Sequence, residues 1–254
     1  MDDVTPAQSV PEQLFSELAW FDVDRRLKED CRVVVPLGAT EQHGHLSLST
    51  DTLFVTNIVT DAARRARVLV APTLPFGASA FAVAYPGTVS LRTATLCLVI
   101  EDIIDSLYRQ GFRRIVFVTG HGGNEVITGV LSEAALDRPR LSTYYRNAWA
   151  GMRPSIVQIE QERGLPPTEH ASWHEEFPFT RVRPVPPGAT VFPESPDFPM
   201  FPLNPRTVRS YLADGVVSGL HTIGSDETMR RLSEACVQDL AGFLAALPPS
   251  VPEN

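Results

Sequence analysis

The chain has 254 residues, 43% hydrophobic and 20% charged, enough to bury one large core or two small ones without disulfides. A net charge of −8, with no basic cluster beyond pairs such as Arg64-Arg65 and Arg113-Arg114, excludes a nucleic-acid or anionic-membrane surface. Three scattered cysteines, Cys31, Cys97 and Cys236, make neither a disulfide framework nor a metal knuckle, and read as small buried apolar residues in a reducing compartment.

The acidic, polar start "MDDVTPAQSVPEQ" has no signal-peptide character. No apolar run approaches the ~18 residues of a membrane span. A cytoplasmic protein is expected. "RVVVPLG" (32–38) then reads as a strand buried on both faces, and "TDTLFVTNIVTDAARRA" (50–66) as a helix with Thr50 as candidate N-cap. A strand "RVLVAPTLPFG" (67–77) follows, then a helix ending at Gly111 ("TATLCLVIEDIIDSLYRQG") and a second doubly buried strand, "RRIVFVTG" (113–120). "NEVITGVLSEAAL" (124–136) reads as a helix and "LSTYYRN" (141–147) as a fourth strand. The segment 184–205 carries a proline every two to four residues, so it is neither helix nor central strand. It reads as an irregular loop, an arm to a neighbouring subunit, or a lid. The last helix spans 226–247. One domain over 1–247 with a frayed tail at 248–254 is expected. Strands alternating with helices predict a parallel sheet covered on both sides, with ligands beyond the carboxyl ends of its strands.

Both histidine-bearing turns sit at those ends. After the first strand, "EQHGHLSLSTD" brings Glu41, His43, His45 and Asp51 within eleven residues. Glu41 and His43, two apart, point the same way in an extended loop. Asp51 enters the next helix, where its dipole favours a carboxylate. "GHGGN" places His121 after the second long strand, and "EHASWHEE" supplies His170, His174, Glu175 and Glu176. Five of the six histidines thus fall in three short polar clusters. Carboxylates with imidazoles suit zinc, manganese or iron. As the bland alternatives, His45 is a loop histidine, Asp51 a helix cap, and His174 and Glu176 solvated side chains.

These stretches, with "YPGTVSL" (85–91), resemble the creatininase (creatinine amidohydrolase) family, and the match spans 33–176. The resemblance implies a three-layer αβα fold with a mostly parallel central sheet, and a homo-oligomer, often a hexamer. It also implies hydrolysis of a C–N amide bond in a small, cyclic or linear amide substrate. Two divalent metal ions per chain are implied, zinc or manganese, with iron a further option. Carried over by position, Glu41, Asp51 and His121 would hold one metal and His43, Asp51 and Glu175 the second, with Asp51 as bridge. His170 would handle a proton or orient the scissile carbonyl, and Glu175 would also serve catalysis. Such a centre activates water and polarises the amide oxygen, while a nearby carboxylate or histidine protonates the leaving nitrogen.

This chain departs from the family pattern in several places. It lacks the proline common between Gly44 and His45, so the loop from Glu41 to Asp51 is one residue shorter. Phe81 and Ala82 replace a Glu-His pair, which makes that wall more apolar, and Glu176-Phe177 replaces Thr-Ser. A glutamate that creatininase itself carries in the "GHGGN" turn is missing, which turns the expectation from creatinine to another cyclic amide. Alternatives within the family are a deformylase of a pyrimidine intermediate, a peptidase trimming a modified peptide, and a member that only binds its ligand. From another class, the rival is a nucleotide-binding α/β protein using "GHGGN" as a phosphate cradle. Its GxGxxG and GxxxxGK[ST] spacings are absent.

Overall fold

In the computed structural model, which describes residues 12–165, 167–184, 204–216 and 225–249, the first strand is Arg32–Leu37 (β1), buried throughout. Successive side chains of a strand point to opposite faces. Val33, Val35 and Leu37 therefore enter one core with Ile115 and Phe117 of Arg114–Thr119 (β3), while Val34, Val116 and Val118 enter the other. A strand covered on both faces has no polar side to show, hence its unbroken apolar sequence. With Leu69–Val70 (β2) and Ser142–Asn147 (β4), the strands make a parallel sheet in the order β2-β1-β3-β4.

Helices complete the layers. Thr50–Ala66 (α2) and Asp226–Ala246 (α7) bury Phe54, Val55, Ile58, Met229, Leu232 and Leu240 on the Val34 side. Thr93–Gln110 (α3) and Thr128–Ala134 (α4) bury Leu96, Ile100, Ile104 and Leu131 on the other. Each such side chain contributes about 1.5–3 kcal/mol when fully buried, so these layers form a firm frame. The expected αβα sandwich is present. Among the described residues no helix is long and apolar enough to cross a membrane. All three cysteines are unpaired, Cys236 buried and the other two half-buried.

Several local expectations change. The strand expected over 67–77 shrinks to Leu69–Val70, with one further bridge from Leu74 to Leu37, because Pro72 and Pro75 interrupt it. Ser49, not Thr50, is the N-cap of α2; Thr50 is its first residue and donates its hydroxyl to the Ser47 carbonyl at 2.7 Å. The helix expected from 124 begins as a 3-10 turn, Gly122–Ile127, before α4. Of the tail, the carbonyls of Pro248 and Pro249 accept hydrogen bonds from Arg114 Nε (2.9 Å) and the Cys31 N–H (2.8 Å). The proline-rich loop lies almost wholly outside the described residues.

Arg32, at the start of β1, closes the end of the sandwich away from the strand carboxyl termini. Its guanidinium lies 2.6 Å from Asp30 and donates to the Leu244 and Leu247 carbonyls at 2.8 and 3.1 Å, satisfying acceptors that the end of α7 leaves open. Arg32→Met should cost about 2–4 kcal/mol, because Asp30 loses its cation, keeping only the Arg32 N–H, and the carbonyls lose the guanidinium in a buried place. Urea unfolding checks it: the midpoint should fall at unchanged slope, and a loss below about 0.5 kcal/mol would show that the clamp does not matter.

Candidate metal centre

The carboxyl ends of β1 and β3 abut the first turn of α2, and glycine permits the contact. A Cβ at Gly120 would lie 2.4 Å from the Asp51 carbonyl oxygen, and one at Gly38 would lie 2.3 Å from Thr52 Oγ1. Asn124 ties the two ends together. Its Nδ2 donates to the Gly38 carbonyl (3.1 Å) and Thr119 Oγ1 (3.2 Å), while its Oδ1 accepts the Ala78 N–H (3.2 Å). Within the "GHGGN" turn the Asn124 side chain is thus spent on this chain's own groups, while Gly122 and Gly123 line the cavity beside it.

Around Asp51 the predicted residues converge. His43 Nε2 lies 3.1 Å from Asp51 Oδ1, and His121 Nδ1 lies 3.1 Å from Asp51 Oδ2. Glu41 Oε2 is 3.4 Å from His121 Nε2, and Glu175 Oε2 is 3.9 Å from His43 Nε2. Two of the triads whose donor atoms all lie within 4.8 Å of one another are Glu41–Asp51–His121 and His43–Asp51–Glu175. A third, Glu41–His43–His170, overlaps them. Backbone carbonyls hold the imidazoles in place. His43 Nδ1 is 3.1 Å from the Glu41 carbonyl, which leaves Nε2 to face the cluster. His121 Nε2 is 3.1 Å from the Ala78 carbonyl and 3.3 Å from Ser79 Oγ, which leaves Nδ1.

The electrostatics call for cations. Both Glu41 carboxylate oxygens, His43 Nε2 and Asp51 Oδ2 are sealed from solvent with no hydrogen-bond partner. Each such atom costs about 1–3 kcal/mol, more where charge is involved. Burial would push His43 down, but the Asp51, Glu175 and Glu41 carboxylates hold it up at about 10. Against burial, His121 is likewise held at about 9 by Asp51 and Glu41. Burial would raise Asp51, but His43 and His121 keep it well below the carboxylate range. Burial raises Glu41, and lifts Glu175 to about 7 although His43 opposes it. Two buried carboxylates and a half-buried third beside imidazoles whose protons they hold fit a site whose positive charge comes from metal ions.

Beyond the cluster opens a cavity of about 570 Å³, the size of a small-molecule site. His170 lines it, with its ring 4.3 Å from that of His43 and Phe81 edge-on at 5.8 Å. His170 Nε2 is 2.9 Å from both the carbonyl oxygen and the side-chain nitrogen of Gln42, and 3.4 Å from Glu41 Oε1. Burial and then the neighbouring His43 lower His170 to about 3, so it is a neutral imidazole. Burial, then Arg153, lowers His174 to about 4. His45 and Glu176 stand outside the cluster, paired with each other at 3.0 Å. Phe81 faces the cavity, whereas Ala82 is fully buried and does not line it. A larger hollow near Arg206 and Arg209, about 820 Å³, is not lined by any member of the donor triads.

Sequence reasoning missed the lining supplied by Phe54, Trp149, Met152, Ile156 and Thr168. For Trp149 a signal existed, since it follows the carboxyl end of β4. For Gln42 the signal was its place inside the quoted "EQHGH" stretch.

The creatininase family, described as creatinine amidohydrolase, matches residues 16–244. The creatinine amidohydrolase of Pseudomonas putida is 30% identical over 261 residues, covering 92% of this chain and 97% of its own. The mycofactocin precursor peptide peptidase of Mycolicibacterium smegmatis is 41% identical over 99 residues, 36% of this chain and 40% of its own. A crystal structure of creatinine amidohydrolase (creatininase) superposes with a TM-score of 0.77 at 29% identity, over 94% of this chain and 97% of that one. Further creatininase structures include a zinc–zinc form, with a TM-score of 0.76 at 28% identity over 94% and 98%, and a manganese form, 0.75 at 29% over 92% and 98%. With a family match over most of its length and a cluster of metal-binding residues where its parallel strands end, this chain belongs to the creatininase family of metal-dependent amidohydrolases.

Proposed function

We propose that the protein hydrolyses a C–N amide bond of a small cyclic amide, with two divalent metal ions held by Glu41–Asp51–His121 and His43–Asp51–Glu175. The observation that carries this reading is the sharing of Asp51 by two donor triads. Mixed carboxylate and imidazole donors suit zinc or manganese, the metals present in the structures of its relatives. Ions bound there would supply Lewis acidity, acidifying a water and polarising a carbonyl oxygen.

The other tasks fall to side chains. Gln42 engages His170 Nε2, which turns Nδ1 to the cavity, where a neutral imidazole can take up a proton or hand it to the leaving nitrogen. Glu175 Oε2, which accepts the Ala171 N–H at 2.7 Å, is the oxygen held 3.9 Å from His43 Nε2. Phe54, Phe81, Trp149 and Phe177 exclude water and cover the apolar part of a substrate. The net change is addition of water across the amide, giving a carboxylate and an amine.

Asp51→Ala should abolish binding at both sites, because the bridge belongs to each triad. Metal analysis of the purified variant decides: unchanged content refutes the bridge, and loss of one ion makes Asp51 a terminal ligand. His170→Ala should keep both metals yet lose about 100-fold or more in kcat, the usual scale for a proton-transfer group. If the metals leave with the activity, His170 is a ligand through the third triad. A third expectation concerns Phe81. An apolar wall gains about 25 cal/mol per Å² covered. The metal-loaded enzyme should therefore prefer lactams and hydantoins bearing apolar or aromatic substituents over creatinine, and Phe81→Glu should narrow the difference. Efficient turnover of creatinine by the wild type would overturn that preference.

A further inference from the structure

Glu160, on Arg153–Arg163 (α5), is a buried carboxylate, 6% exposed, that pairs with no cation among the described residues. Its Oε1 accepts both the N–H and the hydroxyl of Thr168, at 3.0 and 2.5 Å. Burying a carboxylate is costly and is sustained only by such bonds. The arrangement fixes a third residue. With its proton committed to Glu160, Thr168 Oγ1 meets His174 Nδ1, 3.2 Å away, as an acceptor. Ser172 Oγ lies 2.7 Å from the same nitrogen. A hydrogen on Nδ1 serves both hydroxyl oxygens and spares Thr168 Oγ1 a lone-pair clash, which favours the tautomer that keeps the lone pair on Nε2.

That lone pair has somewhere to act. His174 lines the same cavity as Phe81, His170 and Glu175. Its Nε2 has no hydrogen-bond partner among the described residues, on a side chain that lines the cavity. Around it the wall combines the apolar Met152 and Ile156 with Arg153. In such surroundings one oriented acceptor discriminates strongly, because a ligand without a matching donor leaves it unpaired.

We propose that His174 is a specificity residue: its Nε2, fixed as an acceptor by Glu160 and Thr168, receives a substrate N–H other than that of the scissile bond. The inference rests on the amidohydrolase reading and narrows it to cyclic amides with a second N–H, such as ureides. Thr168 and Glu160 are positioning residues, acting through His174.

Hydantoin and 1-methylhydantoin, in which a methyl replaces the second ring N–H, are the probes for the zinc-loaded full-length protein. The wild type should favour hydantoin by about 10-fold or more in kcat/KM, the effect of one unpaired acceptor. If neither ring is turned over, the same preference is sought in Kd by calorimetry. His174→Phe should bring the ratio to within about 3-fold, and His174→Gln, which restores an acceptor, should recover part of it. Thr168→Val should raise KM more than it lowers kcat. Nitrogen NMR of the labelled protein, with His174 assigned by its loss in His174→Phe, should show Nδ1–H in the wild type and a mixture with Nε2–H in Thr168→Val. A wild type that does not distinguish the rings, a preference that survives His174→Phe, or an Nε2–H imidazole in the wild type overturns the proposal. Binding preference without turnover of any amide would instead fail the hydrolase reading and leave the recognition by His174 standing.

Discussion

Everything in the site depends on one buried carboxylate. Asp51 sits in the first turn of α2, 4% exposed, with an imidazole 3.1 Å from each of its oxygens. Three elements must meet for this to happen: the end of β1, the end of β3 and the start of α2. The meeting is so close that Gly38 and Gly120 have no room for a Cβ. The helix dipole favours the charge, but a fraction of a charge in one turn cannot repay the desolvation of three carboxylates. The apolar layers supply that stability, and the cluster consumes part of it. Only divalent cations bring the donor set to balance, and that is why such a cluster survives in a core.

Two of the departures expected from the family pattern meet in the structure. Loss of the proline before His45 shortens the loop, and replacement of Thr-Ser puts Glu176 and Phe177 into the late segment. In the structure His45 and Glu176 lie 3.0 Å apart, both side chains nearly buried. Phe177 stacks on Phe54 of α2 at 5.1 Å and on Phe179 at 5.2 Å. Beside them Leu46 bridges to Arg181, and the Ser47 N–H donates to the Thr180 carbonyl at 2.9 Å. The short loop and the late segment, about 130 residues apart, thus hold each other beside the cluster.

Those long-range facts are what the sequence could not show. The doubly buried strands were legible from their unbroken apolar runs, and α2 and α3 from helical spacing and the glycine at 111. Elements set by tertiary context were not: β2 is cut short by prolines, and the turn after His121 coils as a 3-10 helix because Asn124 is spent on Gly38, Thr119 and Ala78. At the site, the structure brings together the residues expected from motifs, while the lining drawn from elsewhere was not foreseen. Glu41, His43, Asp51, His121, His170 and Glu175 came from three short stretches; Glu160 and Ile156 come from a helix whose pattern carries no hint of the cavity it borders.

The two triads also differ in what supports them. Glu41, Asp51 and His121 stand on the ends of β1 and β3 and the head of α2, all fixed by the sheet and its covering helices. The second triad draws Glu175 from a segment with no strand of its own, held by the Ala171 N–H, the stacking of Phe177 and the His45–Glu176 pair. That same segment carries His170 and His174. The proposed proton-transfer residue, one side of the donor cluster and part of the cavity wall therefore lie on one segment, set beside the sheet-borne donors. Substitution of its packing residues can retune the cavity while leaving the sheet-borne donors where they are. This is a physical route by which one scaffold can serve several amide substrates, and Phe81 and His174 are the lining residues at which the proposals above place it.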